Sequence, residues 1–457
     1  MKKKICLILI VALCGILCFL FTACSNNKLS APTNLVTDEE NVLSWSLDEN
    51  AKNYSVKVRN VENDEEKIYT SRKNSYSLSK LSEGDYDISV QAVGDGRNIL
   101  DSDWSKVINF HKDYETGCVY TLIKNNTEYE ITRVGSASQT VYVKATYRGK
   151  PVTSIAASAF KGSGRVEAIE IADSVTSIGD SAFYNCPKLT SVMMSDQVTY
   201  LGLSAFQSCR ALTSIYISEG VTRLEEYVFA YCRSLENVVI PSSVTSIANS
   251  AFSDCSSLKS VTIPDSVVTI GEYAFTANTS LQSVKIGSAV ESIGKNAFYK
   301  CSSLETIDFS GDGNLKLIDE YAFAECSALE EATLPQGVED IGYACFFMSK
   351  NLSSVSLPSS VTHVGAYAFH LTKIFSDALA ADEKYVYADD WLVYCEEETL
   401  NSVVTLGVDS FRSSVAGIAD YVFAKAQELQ VVKTPSTLKH IGQYSFAQCA
   451  KLYKIET

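Results

Sequence analysis

The sequence predicts a mainly β protein, in which a small β-sandwich module precedes a solenoid of stacked coils with parallel strands. Three observations predict it. Hydrophobic residues make up 46% of the 457 residues and charged ones 20%, enough for a sizeable core and too apolar for a disordered or collagen-like chain. Residues 31–112 hold short alternating segments punctuated by turn residues. Beyond residue 152 a phenylalanine returns at a fixed interval of 23 residues.

The first element is an address. Lys2, Lys3 and Lys4 form a basic start, Ile5 to Phe21 an unbroken apolar run of 17 residues, and Thr22-Ala23-Cys24 a small-residue site. Polar Ser25-Asn26-Asn27 follow. This is the pattern of a bacterial export signal over residues 1–23, with Cys24 as the lipidation site and residues 24–30 as a tether. A diacylglyceryl group and an N-acyl chain on Cys24 supply the two lipid signals that stable anchoring requires. Phe21 departs from the pattern, which usually has Leu there. A run of 17 also reaches the lower edge of a membrane-spanning helix, and the small-residue-plus-Cys site favours the lipoprotein.

Either reading places the rest of the chain outside the cytoplasm, held at the outer face of the membrane or cell surface. Loss of the three lysines leaves 36 basic against 54 acidic residues, so a net charge of −15 becomes −18. Nucleic acid is excluded as a partner, because a phosphate-binding face needs clustered Lys and Arg. The membrane is met only through the lipid.

The second element, residues 31–112, is a β module. Candidate strands are Val42–Trp45, Tyr54–Val58, Lys67–Thr70, Ser75–Leu78, Asp85–Val93 and Val107–Phe110, at the spacing of a β-sandwich. Ala31-Pro32, Trp45, Tyr54, Leu81-x-x-Gly84-x-Tyr86, Ile88 to Ala92 and Ser102-x-Trp104-Ser105 together resemble a fibronectin type III domain. The resemblance implies that Tyr86 forms a tyrosine corner, its phenol bonding back to the chain, and that the module serves as a spacer.

The third element is the repeat. Phe160, Phe183, Phe206, Phe229, Phe252, Phe275 and Phe298 are each 23 residues apart; Phe323 follows after 25, then Phe346 and Phe369 at 23, and Phe423 and Phe446 beyond a gap of 54. Five residues before each anchor stands an aliphatic, from Ile155 to Ile441, and three after it often a cysteine. In the unit from Leu258 to Leu281, Val261 and Ile263 alternate with Thr262, so a short strand points two side chains inward and one outward. Pro264 stops that strand, Val267 and Ile270 recross the core, Gly271 permits a tight turn, and Ala274-Phe275 are expected on a short helical turn at the opposite wall. One unit cannot bury this face alone, but stacked copies make a continuous core.

These columns resemble the BspA-like bacterial leucine-rich-repeat surface proteins, over roughly residues 117–457. The resemblance implies an N-terminal cap over 113–151, repeats over 152–374 and again over 417–457, and a non-enzymatic surface protein. The implied partners are host or neighbouring-cell proteins, extracellular-matrix proteins among them. Residues 375–416, around Trp391, lose the phase and are expected to be an irregular insertion. Leu406-Gly407 with Phe411 mimics the signature there. The last repeat stops at Thr457 where an inward aliphatic is due, which predicts an incomplete frame or a covering neighbour.

Chemistry is sparse. The seven cysteines three residues after an anchor (Cys186, Cys209, Cys232, Cys255, Cys301, Cys326 and Cys449) share their position with Asn278, Ser349, Thr372 and Ala426. A slot that accepts those residues is small and buried, which predicts free thiols rather than disulfides. No CxxC, HExxH or GxSxG occurs among the 14 cysteines, four histidines and many serines, so no metal, cofactor or catalytic residue is expected. Function is therefore sought on the outward strand column: Glu170, Met193, Tyr216, Val239, Thr262, Lys285, Asp308, Thr333 and Ser356. Met193, Tyr216 and Val239 form an apolar run that folding does not require, a candidate docking patch for a protein ligand, against the alternative of scattered surface apolarity. A structural role in the envelope, or an accessory region of a longer surface enzyme, are the competing readings.

Overall fold

The computed structural model describes residues 27–457 apart from 38–41, 62, 79–80, 83, 98, 113–117, 136, 138, 148, 312, 397–399, 401, 407–413 and 457. The export segment with Cys24, the start of the tether, and Gly407 and Phe411 lie outside the described residues. The chain divides between Glu115 and Thr116 into two compact units.

In the N-terminal unit, Glu66–Ser71, Asn53–Asn60, Gly84–Val93 and Ile108–Lys112 form, in that order, a four-stranded antiparallel sheet. Val36–Thr37, Val42–Ser44 and Ser75–Ser77 form a second sheet of three strands. Period-two alternation along Asn53–Asn60 buries Tyr54, Val56 and Val58. They join Leu43, Trp45, Leu78, Tyr86, Ile88, Val90 and Phe110 in one apolar cluster between the sheets. Trp45 meets Tyr54 edge to face at 5.2 Å.

The second unit is a solenoid. It opens on an antiparallel hairpin, Val119–Ile123 with Glu128–Arg133, whose second strand pairs in parallel with Lys150–Ile155. Each coil then contributes not one strand but two, to two separate parallel ladders. The longer follows the predicted position: Ser260–Thr262 pairs with Ser283–Ile286 in register, Val261 opposite Val284. The shorter, at Thr269–Ile270, continues from Ser246–Ile247 to Ser292–Ile293 and belongs to a seven-stranded sheet running from Arg223–Leu224 to His363–Val364. The aliphatic column that recrosses the core is therefore itself a strand, buried from Ile155 to Ile418 and exposed at the last member, Ile441.

The opposite wall corrects the expected helical turns. Among the described residues the only α-helix is Lys373–Ala380, outside the repeats. Around Phe275, Tyr273 and Ala277 adopt φ of 57° and 59°, and every anchor phenylalanine is flanked by such a pair. Backbone N–H groups alternate in direction. Those of Tyr273, Phe275 and Ala277 donate to the next coil, to Lys295, Ala297 and Tyr299 at 2.9, 2.7 and 2.7 Å; those of Ala274 and Thr276 turn back to Gly271 and Tyr273. So short a segment gains too few bonds to repay helix nucleation, whereas sharing donors with the next coil turns the wall into a third ladder. Gly271 also plays a different part from the one expected: its φ is not left-handed, and a Cβ there would lie 2.7 Å from Ala248 C and Asn249 N. Close approach of the preceding coil explains it better than a turn.

Inside, the anchor rings from Phe160 to Phe369 stack with centroids 4.8 to 5.6 Å apart and planes within 20° of parallel. Beside them each column cysteine donates its thiol to a phenylalanine carbonyl one coil earlier, as Cys232 Sγ does to Phe206 O at 3.2 Å. Ser349 makes the same bond to Phe323 O at 2.9 Å. All described cysteines are free, and burial pushes the Cys232 and Cys301 thiols up to about 12, so thiolate chemistry is quiet at those two, whereas a bond with Cys209 lowers Cys186. Asn278 breaks the ladder: it is fully buried, and neither side-chain polar atom has a partner among the described residues. Replacing Asn278 with cysteine should restore the donor to Phe252 O and raise stability by about 1–3 kcal/mol, the usual cost of an unsatisfied buried polar group. A higher urea midpoint checks it.

The described residues of the 375–416 segment are not irregular. The helix Lys373–Ala380 starts at Thr372, whose Oγ1 accepts from Phe375 N, and it buries Phe375 and Ala378. A hairpin, Tyr385–Ala388 with Trp391–Cys395, then places Trp391 and Leu392 in parallel register with Gly417 and Ile418. Val403–Thr405 pairs in parallel with Val431–Lys433. The segment thus feeds both ladders, and Leu392, Cys395 and Val404 belong to the same core cluster as the regular coils. Gly417 is needed here because a Cβ would meet the Trp391 ring at 2.5 Å.

Candidate partner-binding face

The outward column of the longer strands is held by parallel register: Glu170 lies opposite Met193, Tyr216 opposite Val239, and Thr262 opposite Lys285, which lies opposite Asp308. The three residues singled out in the sequence fall on neighbouring rungs of one face, yet they differ in access. Val239 is 73% exposed. Tyr216 is half-buried, its hydroxyl donating to Asp196 Oδ1 at 2.7 Å. Met193 is only 7% exposed and Glu170 beside it fully buried, which corrects the expectation of a three-rung exposed run. Alternation along a strand decides which side a residue leaves from, but not what lies against that side.

From Val239 onward the column is open: Thr262, Lys285, Asp308, Thr333 and Ser356 are all exposed. Ser260, Thr306, Glu331 and Ser354 line the same face one column over. Its charged members, Lys285, Asp308 and Glu331, are few, and at its border Lys259 Nζ pairs across rungs with Glu236 Oε2 at 2.6 Å. The face is a flat polar sheet with an apolar spot at one end.

The remaining polar clusters do structural work. His363 bonds Asp340 Oδ1 through Nδ1 at 2.7 Å and Asp420 Oδ2 through Nε2 at 3.0 Å. These bonds, that to Asp340 foremost, raise it to about 9 against the opposing effect of burial. No hydroxyl or thiol joins this group in the described hydrogen bonds, so it clasps coils instead of activating a nucleophile. Among the described residues no group of three or more His, Cys, Asp or Glu is placed to hold a metal ion. Sequence reading passed over His363, because its second partner lies 57 residues away. It also passed over the tyrosines two residues before the anchors, although their recurrence was countable.

The chain matches, in six copies over residues 143–259, 245–375 and 397–457, the family described as BspA type leucine rich repeat region. Among solved structures it is similar to a leucine rich repeat protein of T. pallidum, 26% identical, covering 48% of this chain and 90% of that one with a TM-score of 0.35. It is similar also to a leucine rich cell surface protein of Faecalibacterium prausnitzii, 22% identical over 75% of this chain and 94% of that one, TM-score 0.37. The pneumococcal vaccine antigen PcpA is 19% identical over 75% of this chain and 69% of its own, TM-score 0.24. No curated protein matches the chain.

Proposed function

The chain belongs to the BspA-type leucine-rich-repeat family, and from that premise we infer that it works by binding protein partners and not by catalysis. Its solenoid is a non-catalytic interaction scaffold. It acts at the outer face of a bacterial cell, tethered by lipid on Cys24, with a fibronectin type III module standing in the chain between the tether and the repeats. The Tyr86 hydroxyl, which donates to Ser82 O at 2.8 Å, supports that assignment of the module as its tyrosine corner. The ligand class is a host or neighbouring-cell protein, matrix proteins included, docking on the strand face.

One observation carries the docking site: Val239, three-quarters exposed beside Tyr216, is an apolar side chain on an otherwise polar sheet whose fold would accept serine. The test uses the full chain recovered from membranes, with lipid mass on Cys24 as the check of anchoring. Replacing Tyr216 and Val239 together with serine should leave the fold intact and weaken capture of a matrix-protein ligand by roughly tenfold. Unchanged capture would move the site elsewhere.

A further inference from the structure

We propose that the turn wall carries a separate binding ridge for a β-1,4-linked polysaccharide, read by tyrosines placed every second coil. From Ser204 to Tyr367 the column two residues before the anchors runs Ser204, Tyr227, Ser250, Tyr273, Asn296, Tyr321, Ala344, Tyr367, so that over this stretch a tyrosine alternates with a small side chain. Tyr421 and Tyr444, further on, stand instead on consecutive coils. The small members are recessed, Ser250 at 7%, Asn296 at 8% and Ala344 at 1% exposure. Tyr227, Tyr273 and Tyr367 project, at 38%, 40% and 53% exposure; Tyr321 is half-buried, and Tyr343 from the intervening coil meets Tyr321 and Tyr367 edge to face at 5.4 and 5.6 Å.

Folding does not ask for tyrosine at these points. Every residue of the column has a left-handed backbone, with φ of 58°, 57°, 56° and 59° at the four tyrosines. A bulky side chain is disfavoured there, and Asn or Ser, which the same column uses elsewhere, would be easier. A projecting aromatic at a conformation that resists it, repeated four times and left open to water at three of the four, points to a ligand.

The period identifies the ligand. Phenylalanine centroids advance 5.2 to 5.6 Å per coil between Phe229 and Phe369, so successive tyrosines stand roughly 10 Å apart. A β-1,4-linked pyranose chain presents the same ring face once per disaccharide, at that same spacing, as a flat ribbon able to lie along the wall. Glu226 and Glu272 each immediately precede a tyrosine and offer carboxylate acceptors for sugar hydroxyls, while Glu320, before Tyr321, is ion-paired with Lys295. Ring for the apolar sugar face and carboxylate for its rim recur as a pair at the ligand's own repeat.

The full chain should bind cellohexaose or chitohexaose in titration calorimetry and pass over α-1,4-linked maltohexaose, whose curved chain lacks the repeat. Tyr227→Ser, Tyr273→Ser and Tyr367→Ser combined should weaken that binding by on the order of tenfold or more at an unchanged urea midpoint. A second variant keeps the tyrosine number and breaks the period: Tyr273→Ser with Ser250→Tyr should also lose binding. The proposal is overturned if the native chain binds neither β-1,4 hexamer at millimolar concentration, if the triple variant binds as well as native, or if the shifted variant does. Tyrosine-dependent capture of a protein with no glycan binding would equally overturn it, and would extend the docking surface to this wall.

Discussion

Replacing Phe275 with alanine should cost about 3–5 kcal/mol of stability, the range for deleting a fully buried aromatic ring. The ring has no exposed surface and is stacked on both sides, 5.2 Å from Phe252 and 5.2 Å from Phe298, with planes 8° and 3° from parallel. Backbone bonds to the next coil hold each turn in place, so the wall cannot collapse to fill the void, and the cavity term should be felt nearly in full. In a solenoid each coil touches only its neighbours, so the loss falls on two interfaces and should split a single urea transition into two. Phe446→Ala is the internal comparison. That ring is half-buried, stacked in the described structure on Phe423, and should cost clearly less. Equal losses at the two sites would mean that the stack does not hold the coils together.

The second large effect is pH-dependent. Both ring nitrogens of His363 face a carboxylate, so both must donate and the imidazolium is the bound form. Its folded pKa, raised to about 9 from 6.5, lies above the unfolded value. The stabilisation is therefore complete below about pH 6.5, declines between there and 9, and is gone once the proton is lost. A shift of that size corresponds to roughly 3 kcal/mol for this mostly buried side chain. His363→Gln should accordingly lower stability by about 2–3 kcal/mol at pH 6 and by little at pH 10. Urea midpoints of both proteins at the two pH values check it, and a pH-independent difference would show that the ring acts only by packing. Asp340 sits on the preceding coil and Asp420 beyond the 375–416 segment, where its N–H also donates to Val364 O at 3.0 Å. The clasp therefore ties the first array of coils to the second.

Much of this architecture was legible in the residues. Ile155 to Ile441 had to share a face because their spacing tracks the anchors, and each proves to lie in the shorter ladder. The thiol slot was legible too, since Ser349 replaces cysteine and makes the same bond to a carbonyl one coil back. Two readings failed for different reasons. The helical turn was inferred from Ala-Phe and a nearby glycine, side chains that suit a helix and a bonded turn wall equally well. Residues 375–416 looked irregular because their anchor is lost, yet Trp391 and Leu392 reach the ladder through a hairpin that keeps no 23-residue spacing. On the binding face, Met193 was picked by column and only its 7% exposure removes it.

By itself the sequence determined which side chains of the regular repeats face inward and where the column of rings runs, because a repeated apolar face has no stable alternative to burial against its own copies. Only the tertiary structure decided where the backbone donors of the turn wall go, which outward residues stay open, and which distant carboxylate completes His363. A backbone N–H is the same in every residue, and cover or contact between segments far apart in the chain leaves no local period to read.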